Sequence, residues 1–167
     1  MLTTDQKGAI AEAAITYAAL KAGIEVYRPV GEGGRCDLIL GFGDRLIRVQ
    51  SKWAVRCGDV IAVRCYSSRR TNRGFLKRSY TRDEVDAFAA YSADLERCYL
   101  LPLELFENQR YIQLRLEPTR NNQRQGINWA ENFEFPATLD RFGAIAQLGE
   151  RRDGIAEVTG SSPVGST

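Results

Sequence analysis

The sequence predicts a single α/β domain in which one long helix leads a mixed β-sheet. Three observations carry that expectation. The opening residues repeat apolar side chains at helical spacing, and short apolar or alternating runs separated by glycine-bearing turns follow them. The chain's 167 residues, 44% hydrophobic and 26% charged, suit one domain with its own core. No internal repeat divides it.

The elements follow in order. Residues 3 to about 22 read as a helix, with Thr4 as N-cap, Ile10, Ala13, Tyr17 and Leu20 recurring along it, and Gly23 placed to stop it. "IEVYRPV" (24–30) is a short strand closed by Pro29 and the turn "GEGG", whose spacing is wrong for a dinucleotide loop. "CDLILGF" (36–42) and "RLIRVQSKWA" (45–54) form a hairpin about Gly43-Asp44, and "DVIAVRCYS" (59–67) alternates as a third strand. "SRRTNRGFLKRSYTR" (68–82) reads as a basic loop. "VDAFAAYS" (85–92) and "RCYLLPL" (97–103) pair around "ADLE", although the alanines of the first also allow a helix. "RYIQLRLEP" (110–118) is a strand, and "NNQRQGINWAENFEF" (121–135) is a polar loop leading into a short helix.

Composition narrows the chemistry. There is no histidine, which removes serine-histidine and cysteine-histidine catalysis and histidine-ligated zinc. Cys36, Cys57, Cys65 and Cys98 stand singly, so zinc and redox motifs are not expected. No apolar run reaches the length of a membrane span and no signal-peptide core opens the chain, so a cytoplasmic protein is expected. The net charge of +2 hides an asymmetry: residues 41–82 hold eleven Lys or Arg against only Asp44 and Asp59. One basic segment on a near-neutral domain points to a polyanion partner.

The hairpin places Asp37 at its open end beside Gln50, Ser51 and Lys52. Strand alternation puts Gln50 and Lys52 on one face. A lysine at the end of a buried strand is costly unless it pairs or works. An acid, an amide oxygen and an ammonium within reach of one ion suit magnesium, which takes hard oxygen ligands. Such a cation acidifies a nearby water, and an ammonium stabilises charge developing on phosphorus. Phosphodiester hydrolysis without histidine is therefore open to this chain. Taken singly, Asp37 as a turn cap, Lys52 as a snorkelling edge residue and Gln50 as an ordinary strand polar residue remain alternatives.

These stretches resemble the PD-(D/E)XK nuclease superfamily, and within it the homing endonucleases of group I intron type that carry glutamine at the variable acidic position. The likeness rests on "KGAIAEAA", "RCDLIL" and "RVQSKWA", and continues through "EVDAFAAYS", "CYLLPLELF", "RLEP" and "GINWAENF". It implies a restriction-endonuclease-like fold with helices flanking a mixed sheet over residues 1–142. It also implies Mg2+ or Mn2+ as cofactor, with Glu12, Asp37 and Gln50 as metal ligands and Lys52 as the catalytic lysine. Cys36 stands where the motif has proline. Gln50 removes one negative charge, so the ion should be held more weakly than by three carboxylates.

Double-stranded DNA is the expected partner. Tyr66, Arg69, Arg70, Arg73, Lys77, Arg78, Tyr80 and Arg82 mix phosphate-neutralising cations with aromatic rings, and Arg120, Asn122, Gln123 and Arg124 supply groups that read base edges. Cutting two strands calls for two active sites, so at least a homodimer is expected, and the resemblance to homing endonucleases implies a homotetramer. A four-way-junction resolvase on the same core, or a DNA-binding module whose nuclease site has decayed, are the competing functions.

Residues 143–167, "GAIAQLGERRDGIAEVTGSSPVGST", read differently, as a poorly ordered tail. "AIAQLGER" can be encoded by the D-arm sequence of a tRNA gene and "GSSP" by its T-arm sequence. The fourteen codons from Ala146 to Gly160 match the separation of those arms. The reading frame therefore looks as if it runs into a tRNA gene, which becomes the expected DNA target.

Overall fold

The computed structural model describes residues 1–31, 33–118 and 125–135. Helix α1 (Thr4–Lys21) is opened by Thr3 rather than Thr4: the Thr3 hydroxyl accepts from the Gln6 amide while the Gln6 side chain accepts from the Thr3 amide. Gly23, at φ +76°, ends it in the left-handed conformation that a glycine adopts at no cost. The expected apolar face is not the buried one. Ala11, Ile15 and Ala19 are buried, whereas Ile10, Tyr17 and Leu20 are 39%, 67% and 59% exposed. Two alanines in the seam let the helix lie close to the sheet, which the larger side chains would prevent.

Nine strands follow among the described residues: β1 (Glu25–Tyr27), β2 (Leu38–Phe42), β3 (Arg45–Cys57), β4 (Val60–Arg64), β5 (Tyr66–Thr71), β6 (Gly74–Ser79), β7 (Ala87–Ser92), β8 (Arg97–Pro102) and β9 (Tyr111–Arg115). Seven of them form one mixed sheet, in which only the pairing of β3 with β7 is parallel. The alanine-rich 87–92 run is thus a strand. It is buried on both sides, Ala87 and Ala89 against the α1 face and Phe88 and Ala90 against the other, a pattern that leaves no polar face to reveal it.

The second face is closed by Tyr99, Leu101, Ile112 and Leu114 together with Ala130 and Phe133 of a short 3-10 helix (Ala130–Phe133). A further 3-10 turn covers Leu103–Leu105. The flanking helices expected from sequence amount, among the described residues, to α1 and these two turns. No helix among those residues is long and apolar enough to cross a membrane.

The 68–82 segment is not a loop. Strands β5 and β6 pair antiparallel as a separate two-stranded ribbon, Arg69 opposite Leu76 and Arg70 opposite Phe75, joined through Asn72-Arg73. Nearly all of its side chains are exposed, so no apolar alternation marks it in the sequence. Gly74, at φ +112°, closes its turn.

Candidate active site

The centre of the molecule is a fork along β3. Its residues 45–49 pair with β2 and its residues 54–57 with β4, while β7 runs along residues 49–54. Val49 pairs with both β2 and β7, and Ala54 with both β4 and β7, so β2 and β4 share one edge of β3. Between them, at residues 50–53, that edge is open.

Asp37 fills the opening. Its backbone N–H donates to the Val49 carbonyl at 2.9 Å, one residue out of the β2–β3 register, which would pair Asp37 with Gln50. Its Oδ2 accepts the Ser51 N–H at 2.8 Å and a bond from Gln50 Nε2. The aspartate thereby satisfies backbone that a continuous sheet would have paired. Burial raises the Asp37 pKa and the nearby Glu12 charge raises it further, outweighing the Ser51 N–H, Lys52 and Gln50, which pull it down.

Gln50 and Lys52 alternate with Val49, which packs on the α1 side, so both face the opposite side of the sheet. Burial lowers the Lys52 pKa to about 8, against the opposing pull of Asp37. Its Nζ donates to the Tyr80 hydroxyl at 3.0 Å and lies 4.5 Å from the centre of that ring. Burial pushes the Tyr80 hydroxyl up to about 12 and the neighbouring Cys65 thiol likewise, so both stay protonated beside the lysine.

Glu12 approaches Asp37 from α1. It lies close enough for its charge to act on Asp37, and its carboxylate pairs with Arg28 at 3.7 Å. Its side chain is one-third exposed. Among the described residues no three His, Cys, Asp or Glu side chains gather in a metal-holding group. The expected ligands Glu12, Asp37 and Gln50 would supply two carboxylates and an amide, a set that suits a hard divalent cation. Both of these hydrogen bonds to the Asp37 carboxylate fall on Oδ2.

The ribbon residues divide into two groups. Arg69, Arg70, Arg73 and Lys77 are exposed, with Lys77 lying 5.1 Å over the Tyr66 ring. Arg78 is bound to Glu84 and Arg82 pairs with Glu107 at 3.1 Å. The Tyr66 hydroxyl bonds to that of Tyr111 at 2.9 Å. Tyr80, expected to face DNA, is half-buried, and its hydroxyl accepts from Lys52. Arg120, Asn122, Gln123 and Arg124 lie outside the described residues, as does the 143–167 tail.

Sequence reading missed Arg35 and Glu84. The Arg35 guanidinium donates to Ser67 Oγ at 2.6 Å on β5 and to the Ser79 carbonyl at 2.7 Å on β6, and pairs with Glu84 at 3.2 Å. Nothing in a lone arginine two residues before Asp37 announces such a role. A polar cleft of about 360 Å³ beside β9, lined by Gln109, Gln113, Arg115 and Asn128 among others, was also not anticipated.

Residues 2–136 match the sequence family described as PD-(D/E)XK endonuclease. No curated protein matches the chain. Among solved structures it resembles the bacterial homing endonuclease I-Ssp6803I, with a TM-score of 0.69 and 24% identity, over 91% of this chain and 99% of that one. That likeness shows the fold, a restriction-endonuclease-like α/β domain.

Proposed function

This chain belongs to the PD-(D/E)XK endonuclease family, and on that premise we propose that it is a site-specific homing-type endonuclease that cuts both strands of DNA with Mg2+ or Mn2+. The observation that carries the reading is the convergence of Asp37, Gln50 and Lys52 at the open edge of β3. Asp37, Glu12 and the Gln50 amide oxygen would hold the cation, whose contribution is Lewis acidity toward the phosphate and a more acidic attacking water.

The chain's own residues do the rest. The Ser51 N–H and Gln50 Nε2 fix the Asp37 carboxylate so that its second oxygen is presented in one direction. Lys52 offers an ammonium whose burial strengthens its attraction for the charge that grows on phosphorus. Arg69, Arg70, Arg73 and Lys77 on the ribbon neutralise phosphates and can reach base edges, since a two-stranded ribbon fits a major groove. The protein works as a homodimer or homotetramer, because each strand of the duplex needs its own site.

The tRNA-like coding of residues 143–167 supports a tRNA gene as the target. The experiment is cleavage of linear duplex carrying the intronless tRNA gene next to this reading frame, with Mg2+, with chelator, and with a four-way junction as competitor. A metal-dependent double-strand cut of the duplex is expected. Full activity in chelator, or preference for the junction, would overturn the reading.

A further inference from the structure

We propose that Arg35 and Tyr80 are positioning residues that tie the β5–β6 ribbon to Lys52, so that ribbon engagement of DNA sets where the ammonium sits. The proposal deepens the nuclease reading and rests on it for one of its two readouts.

The geometry is continuous from ribbon to site. Tyr80 is the first residue after β6, so any movement at the base of the ribbon moves its ring. That ring is held on three sides. The Arg35 guanidinium lies 3.8 Å from its centre, Lys52 Nζ lies 4.5 Å from its centre, and Phe88 meets it edge-on at 5.4 Å and 82°. Its hydroxyl accepts the Lys52 ammonium at 3.0 Å. Arg35 in turn grips one residue of each ribbon strand, Ser67 and Ser79, while standing two residues before Asp37.

The ribbon has almost no core of its own, since every residue of β6 and most of β5 are exposed. Its orientation on the body therefore depends on this base, together with the Tyr66–Tyr111 bond and the Arg78–Glu84 pair. Two cations on one ring repel each other, and Arg35 is among the charges that act on Lys52. A phosphate arriving at the ribbon base would offset that repulsion. A residue that only anchored the ribbon would need neither the Tyr80 hydroxyl nor its contact with the lysine.

The test uses Tyr80→Phe, which keeps the ring and removes the hydroxyl, and Arg35→Met. Supercoiled plasmid carrying the tRNA gene with Mg2+ reads single-turnover cleavage, and a labelled duplex of the same gene with Ca2+ reads binding. Tyr80→Phe should bind within about twofold of the parent and cleave about tenfold more slowly, the size expected for one hydrogen bond to a charged group. The double variant should be no slower than the slower single variant by more than about twofold, because both act through one lysine.

The second readout needs no cleavage: mass-spectrometric amine labelling of Lys52 against Lys21 as internal standard. Lys52 should label at least about threefold faster in Tyr80→Phe, since the hydroxyl that holds its ammonium is gone. If the parent never cuts but labelling rises as stated, the nuclease reading fails and the positioning role stands. Unchanged Lys52 labelling, Tyr80→Phe cleaving like the parent, or losses that multiply in the double variant would each overturn the proposal.

Discussion

The sheet around β3 and the β5–β6 ribbon are built from the same chain on opposite terms. In the sheet, Leu38, Leu40, Val49, Leu100 and Leu114 are fully buried, and a lysine placed among such residues has its pKa drawn down to about 8. In the ribbon, Arg69, Arg70 and Lys77 stand in solvent, and even Phe75 and Leu76 are 70% and 62% exposed. Burial makes a charge chemically potent but expensive, so the sheet carries one lysine and surrounds it with Asp37, Tyr80 and a protonated Cys65. Exposure makes charges cheap and numerous but individually weak, which suits a surface that gathers many phosphates.

The contrast breaks first where a core side chain is removed. Leu100→Ala should destabilise the protein by about 2–5 kcal/mol, whereas Leu76→Ala in the ribbon should change stability by no more than about 0.5 kcal/mol. Chemical denaturation of both variants compares them directly. Equal losses would mean that the ribbon is part of the cooperative core.

Next in size is the division of labour. Lys52→Ala should lower cleavage by about 10²–10³-fold while the variant binds its duplex as tightly as the parent. Arg69→Ala with Arg70→Ala should do the reverse. Binding should weaken, and the slope of log affinity against log salt should become shallower by about 0.9 for each phosphate that the variant no longer neutralises, measured by anisotropy titrations across salt. A ribbon variant that kept its salt slope would move DNA binding elsewhere, the polar cleft beside β9 being the first alternative.

The proposed metal site sharpens the comparison more gently. Gln50→Glu replaces an amide that now donates to Asp37 with a second acid against it. Without divalent cation the variant should melt a few degrees below the parent, a shift of the size that about 1 kcal/mol produces in a domain of this length. With Mg2+ the loss should reverse and the cation concentration for half-maximal cleavage should fall, read by thermal melts and a metal titration. A variant that melts like the parent in chelator would show that residue 50 does not face the carboxylate.

How far the sequence foretold this depended on which signal each part left. The hairpin about Gly43-Asp44 and the approach of Asp37 to Gln50 and Lys52 were legible, because turn chemistry and period-two alternation are local. The fork was not: it arises because β2 and β4 share an edge of β3, which only long-range pairing decides. The helix was found but its buried face was misread, since Ala11 and Ala19 carry little hydrophobic signal beside Tyr17 and Leu20. The ribbon was hidden as a loop for the complementary reason, having no apolar side to alternate. Tyr80 was assigned to DNA by its neighbours in sequence, and its neighbours in space are Lys52, Arg35 and Phe88.

The smallest expected effect lies at the joint between the two regions. Glu84 accepts the Thr81 N–H at 3.2 Å and pairs with Arg35 and Arg78, one cation from each side of the joint. Burial alone would raise its pKa, but that hydrogen bond and the two arginines outweigh burial and hold it below the ordinary value of 4.5. A carboxylate depressed in the folded state contributes stability that is complete above the unfolded pKa and is lost as pH falls through the folded one. Neutral pH therefore leaves the joint intact, and its loss belongs to the range below about pH 4.5. Because the network is near the surface, the whole effect should stay within about 1 kcal/mol. Amide hydrogen exchange over residues 66–79, corrected for intrinsic rates, should speed up across that acid range while exchange in β7 does not. Glu84→Gln should give the faster ribbon exchange already at neutral pH and flatten its pH response. Ribbon and β7 accelerating together would place the acid sensitivity in the core and remove the joint as a separate unit.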